Sequence, residues 1–328
     1  MIYIKIITLF SFFLTIFILR YNSNNLPYEN NKAKYDINFN YHSYQRNIIS
    51  DKMKKYAKWQ QKNNEFYFIN GIIRKYKPKK CLEIGVAHGG SSILILNALK
   101  DIDNSVLISL DLNTKFYGNS KLNTGSRVKQ YFPELTNNWK LFTGKQPHKF
   151  LEELNMKFDF LFLDTVHLAP GELINIIEAL PFLNDKAIVV LHDIMYHLPT
   201  NQYHNAKLIK YHPSQIYLMT SLVGNKVIIE DKSKGSENIG AIFLYPNQKK
   251  YYLNYFLLLL SPWEYMPNEN HLTELKIFIK KYYKEEIYIN LFNRAIEENK
   301  IYINEFNEIY EKIKKNKIFT KNNVNKIC

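Results

Sequence analysis

Cysteine is nearly absent. Cys81 and Cys328 are the only two in 328 residues, so no disulfide framework can form, and the composition suits a reducing compartment. Glycine is sparse as well, at 11 residues. None of it falls into the Gly-x-Gly-x-x-Gly spacing of a dinucleotide site or the Gly-Lys-Ser/Thr of a phosphate-cradling loop. A nicotinamide-dependent oxidoreductase predicts the first of these spacings, so that class is set aside. Internal repeats are missing, and acidic residues are outnumbered: 44 Lys and Arg against 30 Asp and Glu give a formal charge of +14. Such a balance admits nucleic acid, anionic lipid or an acidic glycan. The lysines are nevertheless spread along the whole chain, and Lys75–Lys80 is the one tight basic cluster before the tail, so no nucleic-acid surface is expected.

The first twenty residues differ in kind. From Ile2 to Leu19 nearly every residue is apolar, interrupted by Lys5, Thr8, Ser11 and Thr15 and closed by Arg20. The run is just long enough to span a bilayer. No small-x-small cleavage site follows it, which favours a retained anchor at 1–20 over a signal peptide or a helix buried in the fold. Positive residues are denser after the run (Arg20, Lys32, Lys34, Arg46, Lys52) than before it, an asymmetry that keeps the main domain in the cytoplasm at the inner membrane. Residues 21–50 read as a linker. A helix is expected over 51–76, with Phe66, Phe68, Ile69, Ile72 and Ile73 on its apolar face and Pro78 beyond its end.

From residue 80 the chain alternates. Short apolar runs at 80–86, 105–111, 139–143, 158–164 and 186–192 read as strands, separated by helices near 90–100, 147–155 and 171–182, with a loop-rich stretch through Tyr117 and Pro133. Strands so continuously apolar imply a doubly wound α/β fold with a mostly parallel sheet covered on both faces. Its ligands sit at the carboxyl ends of the strands. Two further strands near 225–230 and 239–245 could complete the sheet as an antiparallel edge. From Gln248 the pattern is helical: Tyr-Phe-Leu-Leu-Leu-Leu at 255–260 is expected to pack on the domain, and a longer amphipathic run covers 271–315. The organisation expected is a domain over 65–246, preceded by a linker and the start of a helix at 21–64 and followed by a helical extension at 247–328.

The stretch 80–92, Lys-Cys-Leu-Glu-Ile-Gly-Val-Ala-His-Gly-Gly-Ser-Ser, reads as a buried strand turning through Gly85, Gly89 and Gly90 into a helix that Ser91 or Ser92 could cap. Such a turn can hold a nucleotide-like ligand. Polar residues also mark the other strand ends: Asp111 after the second strand, Asp164 and His167 after the fourth, His192 and Asp193 after the fifth. A carboxylate at Asp111 suits the two hydroxyls of a ribose. Glu83 lies inside an apolar strand, where an unpaired charge is costly, so a hydrogen-bonding partner is expected.

Glu83, Gly85, Gly89 and Gly90 resemble the first motif of class I S-adenosylmethionine-dependent methyltransferases, and the form Glu-Ile-Gly-Val-x-x-Gly-Gly-Ser is similar to the cephalosporin-hydroxylase-like and macrocin-type O-methyltransferase branch. The resemblance covers roughly residues 65–246. It implies the Rossmann-like methyltransferase fold and S-adenosylmethionine as cofactor, with Glu83 and Gly85 on its methionine and ribose side and His88 lining the pocket. It also implies a divalent cation beside the acceptor hydroxyl, held by an Asp after the fourth strand and an acidic pair after the fifth. Asp164 and Asp193 match that pattern, and His192 departs from it. Two carboxylates with water suit Mg²⁺, whereas an added imidazole tilts the site towards Mn²⁺, Fe²⁺ or Zn²⁺. His167 and His192 are both candidates for the general base that takes the hydroxyl proton; His197, His204 and His212 fall in the expected acceptor-binding region. Methyl transfer to a sugar hydroxyl on a glycan or small molecule is the expected reaction, with membrane association through residues 2–19 bringing the enzyme near lipid-linked acceptors. A nucleic-acid methyltransferase would show an Asn/Asp-Pro-Pro-Tyr/Phe motif where this chain has Asp-Thr-Val-His. The alternative is a non-catalytic binding or assembly protein that retains the fold.

Overall fold

The computed structural model describes residues 49–57, 63–194, 214–228 and 238–315. The expected anchor at 2–19, nearly all of the linker, and His197, His204 and His212 lie outside them. Among the described residues no helix is long and apolar enough to cross a membrane.

Seven strands form one sheet: β1 (Lys80–Ile84), β2 (Val106–Asp111), β5 (Trp139–Thr143), β6 (Phe158–Leu163), β7 (Leu183–His192), β8 (Gly224–Ile228) and β9 (Ile239–Leu244). Their order is β5-β2-β1-β6-β7-β9-β8. The first five run parallel, with Leu82 opposite Ile108 on one side and Leu161 on the other; β9 is antiparallel to both β7 and β8. This is the antiparallel edge expected from the last two apolar runs. The order reverses at β1 and places the turn after β1 at the crevice where such sheets bind ligands.

Side chains alternate across the sheet and build two cores. Cys81, Leu107, Phe160, Phe162 and Val190 pack with α1 (Asp51–Ala57), α2 (Asn63–Tyr76) and α3 (Gly90–Leu99), while Leu82, Ile84, Leu161 and Leu191 pack with α5 (Pro147–Leu154), α6 (Gly171–Ala179) and α7 (Ser214–Ser221). The carboxyl-terminal helices α8 (Tyr252–Leu257), α9 (Glu269–Tyr283) and α10 (Glu286–Lys315) thicken that second layer. Tyr255, Phe256, Leu258 and Leu259 are buried there, so the leucine run packs on the domain. Tyr283 donates its hydroxyl to the Ile177 carbonyl at 2.6 Å, and the Glu264 N–H donates to the Ala169 carbonyl at 2.9 Å.

Two boundaries differ from the sequence reading, and a third is described only in part. The helix expected over 51–76 is described as α1 and α2, with 58–62 outside the described residues. The loop-rich stretch holds a hairpin of β3 (Lys115–Phe116) and β4 (Asn119–Asn123) and a short α4 (Ser126–Tyr131). Finally, the run over 271–315 is two helices, separated where Lys284 takes a left-handed φ of 62°, a conformation a helix cannot continue through.

Candidate active site

The turn after β1 is held from three sides. Gly85 and Gly89 have φ of 92° and 96°, values that glycine adopts without steric cost. A Cβ on Gly85 would lie 1.7 Å from the Asp164 carbonyl oxygen, so the loops after β1 and β6 meet backbone to backbone at this glycine. Asp111 Oδ2 accepts from the Val86 and Ala87 N–H groups at 2.9 and 3.0 Å, and Oδ1 accepts from the Asn113 N–H at 2.8 Å. The carboxylate expected for a ribose therefore also fixes the turn itself. From the opposite side the Gly125 and Arg127 N–H groups donate to the Ala87 and His88 carbonyls at 2.9 and 3.1 Å.

Glu83 is fully buried beneath this turn. Its two oxygens accept from Ser91 Oγ at 2.6 Å, Ser92 Oγ at 2.7 Å and Ser109 Oγ at 2.5 Å, while Trp139 Nε1 donates to Ser109 at 2.8 Å. The serines therefore serve Glu83 instead of capping α3, whose N-cap residue, Gly89, makes no side-chain cap. The reason is energetic, since a buried carboxyl without donors costs more than a missing cap. Burial raises the Glu83 pKa to about 7 despite the three hydroxyls, and the charge of Asp164 adds to the rise. The folded protein thus binds this proton more tightly than the unfolded chain does, and stability falls as pH rises between the ordinary carboxyl value and 7. We expect Glu83→Gln to flatten that fall, removing a pH dependence of about 3 kcal/mol between pH 4.5 and 7.5 in urea unfolding; an unchanged slope would assign it to another group.

His88 is buried against Phe116, with ring centroids 4.8 Å apart. Burial, with the Arg127 charge, lowers its pKa to about 4, so it lines the turn as a neutral ring. Gly90 opens α3 and is buried.

Beside Gly85 the fourth- and fifth-strand residues converge. His167 Nε2 lies 3.2 Å from Asp193 Oδ2 and 3.6 Å from Asp164 Oδ1. His192 Nδ1 lies 3.4 Å from Asp164 Oδ2 and 3.3 Å from Asp193 Oδ2, and its Nε2 lies 3.4 Å from Glu65 Oε2. Asp164, His167 and Asp193 can each turn a ligand atom to a common point, all within 4.8 Å of one another. Two carboxylates and an imidazole, each partly accessible, form a donor set that fits a divalent cation.

The two histidines differ in setting. Complete burial opposes charge on His192, yet the Asp193 and Asp164 carboxylates outweigh it and hold its pKa well above the usual histidine value. It is an internal cation. Burial likewise works against the Asp193 carboxylate, but His192, His167 and Asn238 hold its pKa well below the usual range. The His167 side chain is 23% exposed against 3% for His192, so of the two rings His167 is the one solvent can reach.

Four supporting residues were missed by the sequence reading. Glu65 is buried on α2 facing His192; because it precedes Ile69, Ile72 and Ile73 at helical spacing, an acid on the apolar stripe was its signal. Glu172, in the first turn of α6, accepts the His167 N–H at 2.5 Å and Thr165 Oγ1 at 3.0 Å, which folds the 164–167 loop around one buried carboxyl. Gln215 Nε2 lies 3.2 Å from His167 Nδ1, and Asn238 donates to Asp193 Oδ1. A separate cleft of about 530 Å³, lined by Lys157, Asn184, Asp185 and Lys249 among others, lies at the amino-terminal ends of β6 and β7 and contains none of these groups.

Residues 82–194 match the family described as "Methyltransferase domain". No curated protein matches the chain. Among solved structures it is similar to an O-methyltransferase from Bacillus cereus in complex with S-adenosylhomocysteine (12% identity, 59% of this chain and 91% of that one, TM-score 0.45). It is also similar to the O-methyltransferase TomG from Streptomyces achromogenes (14%, 60% and 90%, 0.44) and to the S-adenosylhomocysteine-bound methyltransferase PaMTH1 of Podospora anserina (17%, 60% and 88%, 0.43). The family match runs from within β1 to just past β7, taking in the glycine turn, Asp111 and the Asp164–Asp193 cluster, and so residues 82–194 of this chain carry a methyltransferase domain.

Proposed function

We propose that this enzyme transfers a methyl group to a hydroxyl oxygen of a small molecule or glycan, with a sugar hydroxyl as the acceptor class. The observation that carries the reading is the partly exposed His167, set between Asp164 and Asp193 one residue contact away from the glycine turn. S-adenosylmethionine, when bound, supplies an activated methyl group, so the chain's task is alignment and removal of the acceptor proton. Bare backbone at Gly85, Gly89 and Gly90, the neutral His88 and the acceptor carboxylate of Asp111 make up a wall that fits a nucleoside. Glu83 serves that wall indirectly, through Ser91 and Ser92.

His167 takes the proton in this reading. Held as a cation between carboxylates, His192 has no vacant nitrogen for a proton and acts as a positioning residue for Asp164 and Asp193. Asp164 and Asp193 would be the ligands of a divalent cation, Mg²⁺ or Mn²⁺, which would lower the acceptor's pKa when bound, leaving His167 Nε2 to take the proton.

Calorimetric titration with S-adenosylhomocysteine tests the cofactor half. Asp111→Ala is expected to weaken binding about 10- to 100-fold, the value of hydrogen bonds to a charged acceptor. His167→Ala is expected to leave that affinity within a few-fold while lowering kcat about 10²- to 10⁴-fold on a hydroxyl acceptor. Absence of S-adenosylhomocysteine binding in folded protein would favour the binding or assembly alternative, and equal loss of affinity in both variants would remove the division of roles. The apolar run at 2–19 supports membrane association. The full chain is expected in the membrane fraction and a chain lacking residues 1–20 in the supernatant; identical partitioning would dismiss the anchor.

A further inference from the structure

A second cluster lies outside the methyl-transfer site, where the carboxyl-terminal helices meet the domain. His148, at the start of α5, places Nδ1 2.7 Å from Glu178 Oε1 of α6. His271, on α9, places Nε2 3.8 Å from the same oxygen. The two imidazole rings lie nearly parallel, 7° apart in tilt and 6.0 Å between centroids. The three ligand atoms fall within 4.8 Å of one another.

We propose that His148, Glu178 and His271 form a binding site for a divalent transition metal, Zn²⁺ foremost, which fastens α9 to the methyltransferase domain.

Three features separate this cluster from an ordinary buried hydrogen bond. First, His271 Nε2 is buried and has no hydrogen-bond partner. Its 3.8 Å distance to Glu178 is too long for a hydrogen bond, and it approaches the separation of about 3.4 Å that two ligands take around a tetrahedral ion with bonds of about 2.0–2.1 Å. Second, the other oxygen of Glu178 is already held, as ligating carboxylates usually are, and a carboxylate stands near the remaining nitrogen of His148. Asn175 Nδ2 donates to Glu178 Oε2 at 2.9 Å, and His148 Nε2 lies 3.7 Å from Glu274 Oε2, whose other oxygen accepts from Lys149 Nζ at 2.6 Å. Third, the charges suit a dication. Glu178 is completely buried, where a carboxylate needs a charged partner. Glu178 and Glu274 together balance two positive charges if both rings are neutral.

The ligand chemistry selects the ion. Two imidazoles and one carboxylate suit Zn²⁺ and its borderline neighbours, and not Mg²⁺ or Ca²⁺. Occupancy requires the His148–Glu178 contact to open by about 0.7 Å, which rotation of two side chains can supply. The ligands come from three helices, one of them beyond the family match, so the metal would act as a cross-link between the extension and the domain.

The test is zinc retention by the full chain, free of any polyhistidine tag, after loading with ZnCl₂ and exhaustive dialysis. His167→Ala serves as control for the methyl-transfer cluster. About one zinc per chain is expected in His167→Ala and none in His167→Ala/His271→Ala, so that any zinc held by the methyl-transfer cluster does not enter the comparison. X-ray absorption of zinc-loaded His167→Ala is expected to show two imidazoles in the shell, a readout that does not depend on whether the double variant folds. The proposal is overturned if no zinc is retained, if retention disappears with His167→Ala, or if the shell holds fewer than two imidazoles.

Discussion

Gly85→Ala is expected to destabilise the domain by at least about 3 kcal/mol, beyond the usual cost of overpacking, because two penalties coincide. The new Cβ would meet the Asp164 carbonyl oxygen at 1.7 Å, and the obstacle is backbone, which cannot swing aside as a side-chain tip can. The φ of 92° is also strained for any L side chain. Relief would require separating the loops after β1 and β6, breaking the Asp164 N–H bond to the Ile84 carbonyl at 3.0 Å. Urea unfolding monitored by tryptophan fluorescence would read the loss. A midpoint shift no larger than that of a surface glycine substitution would show that the two loops can part without cost, and their close approach would then have no structural weight.

Next in size is His192→Ala. The imidazolium sits among Asp164, Asp193 and Glu65; removing it takes away the charge between the buried Glu65 on one side of the ring and the aspartate pair on the other. Breaking buried ion pairs in this way costs about 3–5 kcal/mol. The pH dependence follows from the two shifts. His192 has its folded pKa raised, so its contribution is full below the unfolded histidine value and is lost as pH rises through the folded one. Asp193 has its folded pKa lowered, so its contribution is present above the unfolded carboxyl value and is lost as pH falls. The wild type should therefore exceed His192→Ala by most between about pH 4 and 6.5. Thermal unfolding of both proteins across pH 3–9 checks this; a difference independent of pH would mean that packing, not charge, holds the ring. Adding MnCl₂ should recover part of the variant's loss, because a dication can take up the vacated charge balance.

The parallel core of the sheet was legible in the sequence because its strands are buried on both faces and read as uninterrupted apolar runs; β5 matches its expected limits and β1, β2 and β6 fall within about two residues of theirs. The strand-end rule then brought Asp111, Asp164, His167, His192 and Asp193 to one edge. What was not legible lacks an apolar signal. All five residues of β4 are exposed, so the hairpin has no alternation to betray it, and Lys284 ends α9 without a glycine or proline to mark the break. Ser91 and Ser92 carried a misleading signal: they occupy cap positions, but the buried carboxyl of Glu83, eight and nine residues earlier, competes for their hydroxyls at 2.6 and 2.7 Å. Gln215 and Asn238 are single polar residues far along the chain, and only the folded sheet brings them to His167 and Asp193.

The Glu264 N–H bond to the Ala169 carbonyl has a wider meaning than its 2.9 Å suggests. Ala169 ends the loop that begins at Asp164 and carries His167, so the segment after α8 of the extension is tied to that loop. Trp263 beside it is buried, its N–H donating to Asn299 Oδ1 at 2.7 Å on α10. A boundary at residue 246 divides the chain by resemblance but not by cooperativity: local opening of the extension would loosen the acceptor edge, and the two should exchange their amide hydrogens as one unit.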